Sequence, residues 1–255
     1  MDNKFYGKER YYDMWYELFK ESLRGMCIGT GGSVAASGEI NALNTLKTML
    51  RGGYSKTLFD VGANTGEYTK ILLEFFPEAS IHSFEPAIKT YQKLKENIQS
   101  SNVKLNNFAI SDKVSEGILY YDRECSGLAS LYDRQLDYFG IDFDRKEIVG
   151  LDTLDHYCEV NHIDRIDLLK MDIEGNELNA LKGAERLLAE NRIENIQIEF
   201  GGCNIDSRTY FRDFWNLLHN DFHVYRILYD GLREIPRYGE RLECFVTTNY
   251  LFTKR

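Results

Sequence analysis

The segment Thr57–Gly66 constrains this chain more than any other. Thr57–Val61 (TLFDV) is a short apolar run that ends in Gly62-Ala63-Asn64-Thr65-Gly66, after which Tyr68, Ile71, Leu72 and Phe75 fall at i, i+3, i+4 and i+7. The apolar run reads as a strand buried on both faces, and the spacing behind it as one face of a helix. Such a strand belongs inside a sheet covered by helices on either side, so its neighbours are expected to be parallel and joined by crossovers.

The centre of the chain repeats the pattern. Ser80–Phe84 predicts a second strand, and Ala87, Tyr91, Leu94 and Ile98 the helix behind it. Lys104–Ile110 predicts a third strand. Asp167–Met171 predicts a fourth, followed by a helix with Leu178, Leu181 and Leu188, and Asn195–Phe200 a fifth. This alternation predicts a doubly wound, mostly parallel α/β sheet. Phe211–Leu218 reads as a helix. His223–Tyr229, the turn Asp230-Gly231 and a strand from Leu232 read as an antiparallel C-terminal hairpin, because Asp-Gly suits a type I′ turn. The expected sheet is Rossmann-like and seven-stranded, with Cys244–Thr253 as its last strand.

Ahead of the sheet, Tyr11, Met14, Trp15, Leu18 and Phe19 predict an amphipathic helix over 8–24. The small-residue loop Gly29-Thr30-Gly31-Gly32-Ser33 reads as a hinge or lid, and a second helix runs from about Glu39 to Leu50 and stops at Gly52-Gly53. The organisation expected is an N-terminal helical cap over 1–56 and one α/β domain over 57–255.

The glycine turn narrows the ligand. Glycines between a strand and a helix permit positive φ and close approach to the backbone, and the helix N-terminus favours anionic groups. A dinucleotide-binding turn reads G-x-G-x-x-G, its middle glycine leaving room for a pyrophosphate. Asn64 stands at that middle position. Its side chain disfavours a pyrophosphate but can hydrogen-bond a smaller, amino-acid-like group, and Asp60 can hold an ammonium directly or through water. The second strand ends in Phe84-Glu85-Pro86, and a carboxylate at that tip is placed to bind ribose hydroxyls. An amino-acid tail joined to an adenosine describes S-adenosylmethionine. The plainer readings are an ordinary strand–helix turn and a helix-start carboxylate favoured by the dipole.

Taken in order, DVGANTG (60–66), FEP (84–86), FAISD (108–112), LDTLD (151–155), LLKMDIEGNELNALKGA (168–184) and IQIEF (196–200) resemble the FkbM family of methyltransferases, over about residues 57–200. The resemblance implies a class I methyltransferase fold and O-methylation of a hydroxyl on a small polar acceptor, such as a sugar or a glycosylated or secondary-metabolite intermediate. It implies that Asp60, Gly62, Asn64, Gly66 and Glu85 contact the cofactor. Asn107, Phe108 and Ala109 would border the adenine, by backbone contacts and apolar packing, with Asp112 a further candidate. The first 56 residues and the stretch 124–145 match no motif and are expected to cover the acceptor.

Methyl transfer is an in-line displacement, so alignment of acceptor and methyl is the main demand on the protein, and a base or a metal that activates the hydroxyl helps. Lys170-Met171-Asp172-Ile173-Glu174-Gly175 lies at the carboxyl end of the predicted fourth strand, where ligands of open α/β sheets bind. Lys170 and Asp172 share a strand face by period two, and Glu199 lies beside them if the fourth and fifth strands are neighbours. Asp172 is expected to act as base or to orient the acceptor, Lys170 to tune charge, and Glu174 or Glu199 to hydrogen-bond the acceptor. The structural alternative is that Glu174 caps the following helix and Lys170 pairs with a carboxylate. Mg²⁺ on Asp172 and Glu199 is the less favoured variant, and no metal site is expected.

Two other functions are weighed against this one. A nicotinamide dehydrogenase conflicts with Asn64, and a non-catalytic adenosyl-ligand module has no need of polar strand tips. A net charge of -9 argues against nucleic acid as partner. Scattered cysteines without a C-x-x-C pair fit a reducing, cytoplasmic setting. No apolar stretch approaches the roughly 18 residues of a membrane span, and the N-terminus is too polar for a signal peptide. Nothing in the sequence assigns an oligomeric state.

Overall fold

The computed structural model describes residues 4–30, 37–50 and 56–255; Gly31, Gly32 and Ser33 of the predicted hinge, and the predicted helix stop Gly52-Gly53, lie outside them. In chain order the elements are α1 (Tyr12–Gly25), α2 (Glu39–Met49), β1 (Thr57–Val61), α3 (Glu67–Phe75), β2 (Ser80–Phe84), α4 (Ile88–Asn97), β3 (Val103–Asn106), β4 (Ala109–Ile110), β5 (Ser115–Tyr121) and β6 (Arg145–Asp152). They continue with α5 (Leu154–Val160), β7 (Leu168–Met171), α6 (Glu177–Lys182), α7 (Glu185–Ala189), β8 (Asn195–Phe200), α8 (Cys203–Asp206), α9 (Phe211–Leu218), β9 (Phe222–Ile227), β10 (Leu232–Glu234) and β11 (Thr248–Lys254).

The main sheet has the order β10-β9-β11-β8-β7-β1-β2-β3. Its five central and right-hand strands, β8, β7, β1, β2 and β3, are parallel, and β11 inserts antiparallel between β8 and β9. This is the doubly wound, mostly parallel α/β architecture that the sequence predicts. It has eight strands rather than seven, the short hairpin strand β10 at its edge included. The chain winds outward through β2 and β3 on one side of β1, and through β7 and β8 on the other. The crevice above the β1/β7 pair is therefore the topological switch point at which such sheets bind ligands.

Alternating residues of the sheet feed two cores. Phe59, Val61, Phe84, Leu169, Met171, Ile196 and Ile198 face Leu154, Tyr157, Leu181, Leu187, Phe211 and Phe214. Leu58, Ile81, Leu168, Ile227 and Leu251 face Ala42, Leu43, Leu46, Tyr68 and Leu72. Period-two alternation thus gives each strand a partner layer on both sides.

Two boundaries differ from the expectation. The predicted third strand splits: β3 ends at Asn106, and β4 belongs to a separate three-stranded sheet of order β4-β6-β5. The cause is Asn107, whose Nδ2 donates to the carbonyls of Glu85 and Pro86 at 2.9 Å each and turns the chain out of the main sheet. The second difference concerns the N-terminal region. Helix α2 buries Ala42, Leu43 and Leu46 completely and is part of the sheet's own packing layer, whereas α1 buries no residue. The 1–56 boundary therefore does not coincide with a packing boundary. Among the described residues no helix is long and apolar enough to cross a membrane.

Since α2 is core, Leu43→Ala is expected to cost about 2–5 kcal/mol of folding stability, as a fully buried leucine does. Urea unfolding measures this; a loss near zero would mean that α2 is a dispensable cap.

Candidate active site

The turn after β1 is built around a close approach. Gly62 has φ +84°, and a Cβ there would lie 1.9 Å from the carbonyl oxygen of Asp172. The amide of Asp172 donates to the carbonyl of Val61 at 3.0 Å, so the tips of β1 and β7 are locked together. Asn64 also has positive φ, +46°. Its Oδ1 accepts from the amide of Thr65 at 2.7 Å, and its Nδ2 donates to the carbonyl of Ser126 at 3.1 Å. Its side chain is thus spent on the turn and on the β5–β6 connection.

A cleft of about 720 Å³, the open solvent at its mouth included, lies above these tips. Gly62, Asn64 and Glu85 line it, together with Asp172, Ile173 and Glu174 of the loop that follows β7. Pro86, Phe108, Ile110, Leu119 and Leu131 give it apolar walls. Glu85 is nearly buried; its Oε2 accepts from the amide of Asn64 at 3.0 Å and its Oε1 from the amide of Ala87 at 2.9 Å. Burial pushes this carboxyl up to about 7, against the two backbone donors that favour its ionised form.

The remaining predicted cofactor residues divide. Phe108 and Ala109 line the cleft. Asp60, Gly66, Asn107 and Asp112 do not. Asp60 is fully buried beneath the turn, where Oδ2 accepts from Thr69 Oγ1 at 2.6 Å and Oδ1 lies 3.5 Å from Lys170 Nζ. A buried lysine occupies the place expected for a ligand ammonium. Gly66 supplies the left-handed residue before α3 and packs against Leu94 and Ile98. Asn107 is spent on the chain turn described above, and Asp112 is exposed outside the cleft.

At the strand tips, Asp172, Glu174 and Glu199 each bring a carboxylate oxygen within 4.8 Å of the other two. Asp172 and Glu174 line the cleft; Glu199 stands behind them. Lys170 lies below, its Nζ 3.6 Å from Asp172 Oδ2 and 4.9 Å from the ring centroid of Tyr68. Burial alone would lower this lysine, but Asp172, Asp60, Glu39 and Glu199 outweigh it and hold the ammonium above its ordinary value. Lys170 is therefore a fixed cation in this site. Burial raises Glu174 to about 8, with Asp172 adding to the shift and Arg134 opposing it. Glu199 is raised by burial and then by Asp172, Glu174, Glu177 and Glu39.

Four contributors escaped the sequence reading. Glu39, at the start of α2, accepts from Gln197 Nε2 at 2.6 Å and from Ser37 Oγ at 2.6 Å, which brings the N-terminal region to the strand tips. Gln197 in turn accepts from Tyr68 Oη at 3.0 Å. Glu177 Oε1 accepts from the amides of Ile173 and Gly175 at 2.9 and 3.3 Å, so it, rather than Glu174, satisfies the backbone of the β7–α6 loop. Arg134 pairs with Glu174 and lies 3.4 Å from Asp206. Of these only Glu39 left a local signal, as an acidic residue in the first turn of a predicted helix.

Fold and site together define a protein of the class I methyltransferase type. The chain matches the Methyltransferase FkbM domain over residues 60–227 and belongs to that family. It is similar to 2-O-methyltransferase NoeI of Sinorhizobium fredii, with 27% identity over 146 residues, 53% of this chain and 60% of the relative. It is similar to Methyltransferase sdnD of Sordaria araneosa, with 29% identity over 157 residues, 50% of this chain and 60% of the relative. The match thus spans less than two thirds of these relatives' own length. Among solved structures, a TehB-like SAM-dependent methyltransferase from Corynebacterium glutamicum aligns at TM-score 0.45 and 12% identity, over 97% of this chain and 100% of that one.

The raised carboxyls fix a pH dependence. Glu85 and Glu177 near 7 and Glu174 near 8 hold protons in the folded chain that the unfolded chain releases near 4.5. The folded state binds more protons over that interval, so this contribution to stability is present at the acid end and is lost as pH rises from about 4.5 to about 8. Urea unfolding of Glu177→Gln across that interval should show a shallower pH slope than the parent chain; an identical slope would contradict the assignment.

Proposed function

We propose that the chain is an S-adenosylmethionine-dependent O-methyltransferase that acts on a hydroxyl of a small polar acceptor, a sugar or a glycosylated or secondary-metabolite intermediate. The observation that carries this reading is one continuous cleft lined both by the Gly62 turn and Glu85 and by Asp172 and Glu174. Apolar walls at Phe108, Ile110 and Pro86 suit a purine, and Glu85 suits ribose hydroxyls. A side-chain-free backbone at Gly62 suits an amino-acid tail. The Sinorhizobium relative is named a 2-O-methyltransferase, which supports oxygen as the accepting atom. A net charge of -9 favours a small acceptor over a nucleic acid.

The bound cofactor supplies an electrophilic methyl on a sulfonium. What the protein adds is position and charge. Asp172, half-exposed on the cleft wall, is the group that accepts a hydrogen bond, and then the proton, from the acceptor hydroxyl. Lys170 places a fixed positive charge 3.6 Å from Asp172 Oδ2. Glu174, raised to about 8, keeps a proton near neutrality that it can donate to the acceptor's other oxygens, and Glu199, also raised by burial, lies beside it. Lys170 and Arg134 already offset this cluster, so the mechanism requires no divalent cation.

Calorimetry with S-adenosylhomocysteine tests the cofactor end. Glu85→Gln should weaken binding by about tenfold or more, the loss expected for hydrogen bonds to a charged acceptor. Unchanged affinity would remove Glu85 from the cofactor site. Methyl transfer from labelled S-adenosylmethionine to a panel of hydroxylated glycosides tests the other end. Asp172→Asn should lower turnover by about 10²-fold or more while cofactor affinity is kept, and a chelator should leave the parent activity intact. Loss of activity with chelator would move the carboxylates into a metal site.

A further inference from the structure

The connection from β5 to β6 is far longer than a hairpin needs, since such loops run to about five residues. Tyr121 and Arg145 face each other at its base, yet within the 122–144 connection residues 126–131 turn back over the cleft. Ser126, Gly127, Ala129 and Leu131 form part of the cleft wall. The anchors of this segment end on the loops of the site itself. Asn64 holds the carbonyl of Ser126 at 3.1 Å, and Ser130 Oγ donates to the carbonyl of Glu174 at 2.7 Å. Tyr132 Oη accepts from Asn179 Nδ2 at 3.0 Å. Arg134 grips Glu174 and Asp206 together, and the amide of Gln135 lies 3.4 Å from Asp206 Oδ1.

Glu174 shows what these anchors do. It has φ +51°, a left-handed conformation that a residue with a side chain holds only when its surroundings impose it. Both of its side-chain and carbonyl restraints come from the same segment: Arg134 on the carboxylate and Ser130 on the carbonyl. Arg134 is itself buried between the carboxyl groups of Glu174 and Asp206, a place that suits the fixed, planar fork of a guanidinium.

We infer that residues 122–144 are a strap that gates the cleft, and that Arg134 is the positioning residue that closes it and sets Glu174 at the strand tips in the same step. The inference rests on the methyltransferase reading for the identity of the ligand. Closure then couples retention of the cofactor to completion of the acidic tip, because one guanidinium serves both. Release of the adenosyl product requires Arg134 to leave Glu174 and Asp206, which frees Glu174 from its left-handed conformation.

Hydrogen exchange of the whole chain, combined with stopped-flow release of S-adenosylhomocysteine, tests this. In Arg134→Gln the segment 122–136 should exchange faster while β1, β7 and β8 keep the parent protection. Release of S-adenosylhomocysteine should accelerate by about tenfold, a change confined to the off-rate. Arg134→Lys should fall between the two, and Asp206→Asn, which removes one partner and leaves the guanidinium, should loosen the strap without unlocking Glu174. Parent-like strap exchange and release in Arg134→Gln would overturn the gate alone. Loss of protection throughout the sheet would also overturn it, by making Arg134 a residue of the core. A parent chain that takes no S-adenosylhomocysteine would overturn the cofactor reading and the gate with it.

Discussion

The approach of Gly62 to the carbonyl oxygen of Asp172 is the contact on which the other features of this site depend. A side chain at residue 62 would place its Cβ 1.9 Å from that oxygen, in a backbone conformation of φ +84° that side chains rarely adopt. Because the contact is tolerated, β1 and β7 can run in register to their ends, with Asp60 beside Lys170 and Val61 beside Met171. The turn that leaves β1 and the acidic loop that leaves β7 then open into one cleft rather than two. A sheet whose central strands end level offers a ligand two different walls, a backbone turn on one side and carboxylates on the other.

The same register forces charge into the interior. Asp60 and Lys170 are neighbours on adjacent strands, and both are buried on the face that carries α2 and α3. Burying either ion alone would be costly, so the layer is satisfied as a group: Thr69 on Asp60, Tyr68 on Gln197, and Gln197 on Glu39. The benefit to function is a cation that stays charged beneath Asp172, and a helix, α2, that cannot be removed without opening the polar layer. The N-terminal region therefore divides physically between α2, which completes the sheet, and α1, which contributes nothing to the core.

Much of this was legible from residue order because parallel strands buried on both faces leave short, nearly pure apolar runs. TLFDV, SIHSF and NIQIEF are strands with the boundaries the sequence suggests, and Phe211–Leu218 is a helix from end to end. The tip positions of Glu85, Asp172, Glu174 and Glu199 follow from those boundaries. What the sequence could not carry was contact across long separations. Asn107 breaks a strand through bonds to carbonyls of another loop, and a strand pattern contains no sign of that. Asp60 lies at a strand end, where a ligand contact is expected, but its partner is a lysine on the adjacent strand. Glu39 and Gln197 lie 158 residues apart, and Arg134 and Glu174 are joined across 40. The 122–144 strap has no periodicity, because its order comes from side-chain bonds to the site rather than from a repeating backbone.

The central claim is that the cleft is shaped for an amino-acid tail and an adenosine, with the reacting centre at the β7 tip. A crystal structure with S-adenosylhomocysteine bound is the most direct measurement of it. The account predicts ribose oxygens on Glu85, the tail against the backbone of Gly62, and the sulfur turned toward Asp172. A ligand that leaves Glu85 unengaged, or that points its sulfur away from Asp172, would contradict it.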